Sequence, residues 1–248
     1  QRRLGHDVTV IATDRQHTAT GGIDRVGVGE KVLADGVRLI RVAPRALLTR
    51  RVGLAYGHYR VLRKLVRLRP DLIMLHGLVS VSALQAILYR SVLQRDCVLV
   101  ADTHLDSYNA PVGRARVLSH LYRRSIAYLA RFYSAHCRVV YGVTPDCVDY
   151  AKRTYGIDET KLSLLPLGAD TDSIDFSQQA VVRREVRETY GIPLSEQVIV
   201  TGGKLDAAKN VISLIEAMGA LAFEGVTLVV FGSLGREIRL DFDRALAA

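Results

Sequence analysis

The chain predicts an α/β fold built on parallel sheets covered by helices. Short apolar runs recur along it, and several are apolar throughout rather than alternating, as expected of strands buried on both faces. Between them lie longer stretches whose apolar residues recur three and four positions apart, the helical period. The regular alternation of the two patterns is that of successive β–α units. Of the 248 residues, 49% are hydrophobic, ample for a buried core, and the length suits one large or two ordinary domains.

Taken in order, residues 1–4 read as the last turn of a helix, with Gly5 just past its end. Residues 8–12 are a buried strand, 14–36 a polar, glycine-rich loop with at most a short strand, and 37–42 a second strand. A helix over 54–69 stops at Pro70. Strand 71–75 follows and ends at His76-Gly77; then come helix 80–94, strand 97–101, helix 113–134, strand 138–141, helix 145–155 and strand 162–165. Beyond a hinge, a charged helix over 180–190 leads into strand 198–200, helix 208–221 and strand 226–231, the start of a second α/β unit. The expected domains are 1–170 and 171–248.

The formal charge is +9, carried largely by arginine. On the helix over 54–69, Arg60, Arg63, Lys64 and Arg67 fall within an arc of roughly 100° at 3.6 residues per turn, opposite Val61, Leu62, Leu65 and Leu68. On 113–134, Arg116, Arg123, Arg124 and Arg131 form a similar arc, opposite Leu118, Leu121, Leu129 and Phe132. Such faces suit either solvent or an anionic membrane surface; nucleic acid is the weaker expectation. No apolar run reaches the ~18 residues of a spanning helix. Cys97, Cys137 and Cys147 lack metal spacing and read as buried, reduced thiols, which points to the cytoplasm. No Cys/His set has zinc spacing, and Walker, Rossmann G-x-G-x-x-G and G-x-S-x-G motifs are absent from the chain.

The strongest site signal is VIVTGGKLDAAKNVISLIEA, residues 198–217. It reads as a strand, a glycine turn at Gly202-Gly203, and a helix opening at Lys209-Asn210 with Val211, Leu214, Ile215 and Met218 on one face. Backbone N–H groups at such a turn, with Lys204 and Lys209 beside it, suit a bound phosphate. In open α/β sheets ligands lie at the carboxyl ends of strands. His76 ends one strand there, and Asp102-Thr103-His104 with Asp106 follows the next.

The same segment resembles the start of the carboxyl-terminal domain of group 1 (family four) glycosyltransferases of the GT-B fold: Gly203-Lys204-Leu205, Lys209-Asn210, then Leu214-Ile215-Glu216-Ala217. Lys204 stands where that family usually has arginine, replacing a planar fork by a point charge. The hinge block KLSLLPLGADTDSIDF fits at Lys161, Pro166, Gly168, Asp170 and Phe176, with Leu167 in place of the usual asparagine. Tyr141-Gly142-Val143-Thr144 with Tyr155-Gly156-Ile157, and Gly5-His6-Asp7-Val8-Thr9-Val10, match in family order.

The resemblance implies two Rossmann-like parallel-sheet domains facing a cleft, the second incomplete, and a retaining transfer of sugar from a nucleotide-diphosphate donor to an acceptor. It implies that Gly202, Gly203, Lys204 and Lys209 hold the donor diphosphate without protein-bound metal, that His104 is catalytic, and that His76 and Asp106 line the cleft. It further implies that the family's first strand and its glycine loop precede Gln1, that its glutamate pair lies beyond Ala248, and that the chain alone is inactive and poorly soluble. An unpaired gap is then expected between strands 8–12 and 71–75. Two other readings share these features: a GT-B nucleotide-sugar epimerase, and a non-catalytic module that binds polyanions through its basic faces.

Overall fold

The computed structural model describes residues 4–18, 23–44, 60–107, 116–169, 171, 174–221 and 225–247. The chain divides into two compact units, Gln1–Asp14 with Gly27–Gly168, and Arg15–Val26 with Ala169–Ala248. The second boundary falls beside the expected 170/171 division, but residues 15–26 group with the later segment. The described part of the glycine-rich segment holds more strands than expected: β2 (Arg15–His17), paired antiparallel with β3 (Ile23–Arg25), and β4 (Gly29–Val32).

Among its described residues the first unit contains two sheets. In one, β1 (Thr9–Thr13) runs parallel to β5 (Arg38–Val42), and β4 lies antiparallel on the other side of β5. The other is fully parallel in the order β6 (Leu72–His76), β7 (Val98–Thr103), β8 (Val139–Gly142), β9 (Leu162–Leu164). Central β7 is apolar because both its faces are covered; Leu99, Val100 and Ala101 are all buried. β1 and β6 are each the outer strand of their sheet, and Val10, Leu72 and Met74 are exposed there.

The helices between these strands end where local chemistry stops them. α1 (Leu62–Leu68) ends at Arg69, which takes a left-handed φ of 49° just before Pro70. Its apolar side is buried at Val61 and Leu65, as the arc analysis expects. The segment 45–59, including the start of the expected helix, lies outside the described residues. α2 (Val81–Leu88) is capped by Ser80, whose Oγ accepts the Ala83 N–H at 3.0 Å, and it widens into a π-turn, Tyr89–Leu93. α4 (Pro145–Tyr155) starts with a Thr144 cap and Pro145, and Gly156 closes it at φ 65°.

The long α3 (Arg116–His136) buries Ala130, Tyr133 and Ser134, and Cys137 just past its end is buried too. Phe132, expected on the covered side, is exposed, so the buried stripe is rotated by about one position. Lys161 Nζ donates to the carbonyls of Ser134, Ala135 and Cys137 at 3.1, 2.8 and 3.1 Å, closing the carboxyl end of α3. A cation there complements the helix dipole, so this hinge-block lysine has a structural duty.

The second unit has a parallel pair, β10 (Gln197–Leu205) and β11 (Val226–Leu234), with α5 (Gln179–Tyr190), α6 (Val211–Leu221) and α7 (Arg239–Ala247). Leu205, Val211, Ile215 and Ile238 form its core. Arg187 is buried and donates to the carbonyls of Pro193 and Glu196, tying α5 to the start of β10.

Here the structure corrects the expected glycine turn. Gly202, Gly203 and Lys204 lie inside β10, in register with Phe231, Gly232 and Ser233. The glycines serve the packing of two strands. A Cβ at Gly202 would lie 2.4 Å from the Phe231 ring, and one at Gly232 would lie 1.9 Å from the Gly203 carbonyl oxygen. The α-helix opens at Val211, not at Lys209; Lys209 ends a short 3-10 turn, Ala207–Lys209, and Asn210 takes a φ of 54° between them.

Candidate functional site

The site grows from the pairing of β6 and β7. Their parallel register sets His76 beside Asp102. His104 lies two residues past Asp102, and residues two apart in extended chain share a face. Three polar groups therefore converge at the carboxyl edge of an otherwise apolar sheet.

Asp102 is the anchor. It is 5% exposed, and its two oxygens are engaged separately. Oδ2 lies 2.9 Å from His76 Nδ1, and Oδ1 accepts the Gly77 N–H at 2.9 Å. Gly77 has a φ of 86°, a left-handed turn that glycine adopts without strain, and this aims its N–H back at the carboxylate. A carboxylate only accepts, so Nδ1 of His76 is the donor in this contact. His76 is 79% exposed at its side chain, against 37% for His104. The two rings meet edge to face, their centroids 4.6 Å apart. His104 Nε2 stands 3.7 Å from Asp102 Oδ1, beyond hydrogen-bond reach, and is buried without a hydrogen-bond partner among the described residues.

Beside this cluster lies a cavity of about 290 Å³, lined among others by His76, Gly77, Val79, Thr103, His104 and Tyr155. It is large enough for one sugar ring and carries imidazole and hydroxyl groups among apolar walls. A second cavity, about 380 Å³, lies at the opposite, amino-terminal edge of the same strands, beside Arg90, Cys97, Cys137, Arg138 and Lys161.

The other expected site residues are dispersed. Asp106 is half-buried in the loop after β7 and lies outside the three-residue cluster. In the second unit, Lys204 is exposed, its Nζ 3.5 Å from Asp206 Oδ2. Lys209 is exposed beyond the carboxyl end of β10. Both lysines thus stand at the strand end where ligands bind in such sheets, although no glycine turn lies between them. Of the basic faces, Arg60, Arg63, Arg124 and Arg131 are exposed. Lys64 Nζ pairs with Glu30 Oε1 at 2.6 Å, and Arg67 lies 4.0 Å from the same oxygen, so this arc is partly neutralised within the chain. The side chains of Arg116 and Arg123, and the hinge residue Asp170, lie outside what is described.

Asp102 was missed in the sequence because the expected strand ended at Ala101. The available signal was a carboxylate continuing an apolar run, two residues before a histidine.

The sequence profile of Glycosyltransferase Family 4 matches residues 1–173. The fold is α/β of the GT-B type. A glycosyltransferase from Rickettsia africae superposes with a TM-score of 0.52 at 15% identity, covering 75% of this chain and 44% of that one. Anabaena Alr3699/HepE, solved in complex with UDP, gives 0.53 at 13%, covering 84% and 53%. The N-terminal domain of Candida albicans trehalose-6-phosphate phosphatase gives 0.50 at 18%, covering 75% and 43%. The chain thus spans about half the length of the solved structures it matches. No curated protein matches the sequence. With the profile spanning most of its length, the chain belongs to glycosyltransferase family 4.

Proposed function

We propose that this chain is part of a retaining glycosyltransferase that moves a sugar from a nucleotide-diphosphate donor to an acceptor. The observation that carries the reading is the family match over residues 1–173 together with the polar cluster His76–Asp102–His104 at the carboxyl edge of its parallel sheet. Anabaena HepE, of similar fold, is solved with UDP-glucose, which supports a nucleotide-sugar donor.

In this reading the first unit supplies His104, beside the 290 Å³ cavity, as the group that contacts the reacting sugar. Asp102 is a positioning residue: it fixes the His76 tautomer and holds the turn at Gly77. Lys204 and Lys209 of the second unit neutralise the charge that develops on the departing diphosphate, with no protein-held metal assigned to that step. Sugar transfer takes place at the inner membrane surface, reached through Arg60, Arg63, Arg124 and Arg131.

The test is donor binding and turnover in the full-length protein. Lys209→Ala weakens UDP binding by about 1.5–3 kcal/mol in calorimetry, the range for a hydrogen bond to a charged group. His104→Ala lowers kcat and kcat/KM together with a radiolabelled donor. Unchanged UDP affinity in the first variant and wild-type turnover in the second would overturn these roles. Release of an epimerised free sugar nucleotide, with no transfer to acceptor, would favour the epimerase instead.

A further inference from the structure

We propose that the cavity of about 380 Å³ at the amino-terminal edge of β7 and β8 is a binding site for a small phosphate-bearing anion, held by Arg90, Arg95 and Arg138. The site goes beyond the transferase reading and uses none of the residues placed in that reaction. It stands or falls without that reading.

Distant segments build this cavity. The π-turn that ends α2 supplies Arg90, the approach to β7 supplies Arg95, and the junction between α3 and β8 supplies Arg138. Val98 and Leu99 give it an apolar wall. Among the described lining residues four cations, Arg90, Arg95, Arg138 and Lys161, face one carboxylate, Asp96. The Arg90 Nε atom is the informative one. It is buried and has no hydrogen-bond partner among the described residues. A buried N–H left unpaired is costly, the more so on a charged group. A phosphate oxygen in the cavity satisfies it, and the planar fork of a guanidinium matches phosphate geometry.

Lys161 adds charge rather than donors, because its Nζ already serves the carbonyls of Ser134, Ala135 and Cys137. Those bonds offset the negative end of the α3 dipole, which would otherwise repel an anion here. The Cys137 thiol reports the combined field: burial pushes it up, and Lys161 and Arg90 both oppose that rise. The occupant is a second ligand, distinct from the donor diphosphate. β7 runs for six residues between this edge and the edge that carries Asp102 and His104. At ~3.3 Å per residue the two edges are about 16 Å apart, too far for one phosphate to serve both. The cavity also exceeds a bare phosphate and has room for a phosphorylated sugar.

The experiment is calorimetric titration of the full-length protein with inorganic phosphate and, in parallel, with glucose-6-phosphate. The expected result is a saturable phosphate site that persists in Lys209→Ala, which alters only the lysines assigned to the donor. Arg90→Ala and Arg138→Ala each weaken it at least about tenfold, the loss expected when a hydrogen bond to a charged group is removed. Arg63→Ala, an exposed cation on α1, leaves it unchanged. Arg138 is exposed, so its removal tests the site without disturbing the core. Tighter uptake of the sugar phosphate identifies the occupant as a phosphate monoester, and equal uptake identifies it as free phosphate. Absence of a saturable site, equal binding in Arg90→Ala, Arg138→Ala and the parent, loss of the site in Lys209→Ala, or an equal loss in Arg63→Ala would overturn the proposal.

Discussion

Replacing Asp102 by asparagine separates what this carboxylate does for the fold from what it does for His76. In the native chain Oδ1 accepts the Gly77 N–H and Oδ2 faces His76 Nδ1, each at 2.9 Å. Asparagine is nearly isosteric. Its carbonyl keeps the Gly77 bond, and its NH₂ then faces Nδ1. A protonated Nδ1 would meet a donor, so the ring must switch to the Nε2–H tautomer and accept at Nδ1. A hydrogen bond to a charged group contributes about 1.5–3 kcal/mol. Here Gly77 and His76 are exposed and regain water when the bonds are lost, which lowers that figure. Asp102→Ala, losing both bonds, is therefore expected to cost about 2 kcal/mol, or roughly 4–8 °C in Tm at this size. Asp102→Asn should cost less than ~1 kcal/mol, since only the charge assistance is lost. The tautomer is read from the imidazole nitrogen shifts in long-range ¹H–¹⁵N spectra, and stability from urea titration followed by circular dichroism. If Asp102→Asn keeps His76 protonated at Nδ1, or Asp102→Ala is as stable as the parent, the positioning role assigned to this carboxylate is wrong.

Three further outcomes are expected. Gly232→Ala should destabilise the second unit by ~2 kcal/mol or more, because it combines a φ of 122° with a Cβ 1.9 Å from the Gly203 carbonyl oxygen; a variant with unchanged urea midpoint would contradict the β10–β11 register. Cys97, Cys137 and Cys147 are all buried, and burial pushes the Cys137 thiol up to about 11, so native protein at pH 8 should resist thiol reagents until denaturant is added; rapid native labelling would refute the packing. The hydrogen bond and charge of Lys64 hold the Glu30 carboxyl below its usual range, so the stabilisation is present above the ordinary carboxylate pKa and is lost as pH falls through the lowered folded-state value. Glu30→Gln should remove that acid dependence and, by freeing Lys64 and Arg67, increase salt-sensitive co-sedimentation with anionic vesicles; binding indifferent to lipid charge would dismiss the membrane surface.

The sequence by itself determined the kinds of elements and their order. Uninterrupted apolar runs such as Val98–Ala101 can be buried on two faces only in a covered parallel sheet, and Thr144-Pro145 and Gly156 mark helix ends through local backbone chemistry that needs no distant partner. The stripe Val211–Ile215 was legible for the same reason: its helical period is a local property. The family motifs were also visible locally, and they named His76, His104, Lys204 and Lys209.

What those residues touch was decided by pairing between distant segments. Strand β11 extends β10 through Gly202 and Gly203, so two glycines that read as a phosphate turn became strand positions facing Phe231 and Gly232. Glu30, far from α1 in the chain, pairs with Lys64 and lies near Arg67, two of the four cations of an arc that looked free. Asp102 became the centre of the site only when the β6–β7 register set it beside His76. Periodicity and propensity act over a few residues, whereas register and charge pairing join residues that are remote in sequence; only the folded chain fixes which of them meet.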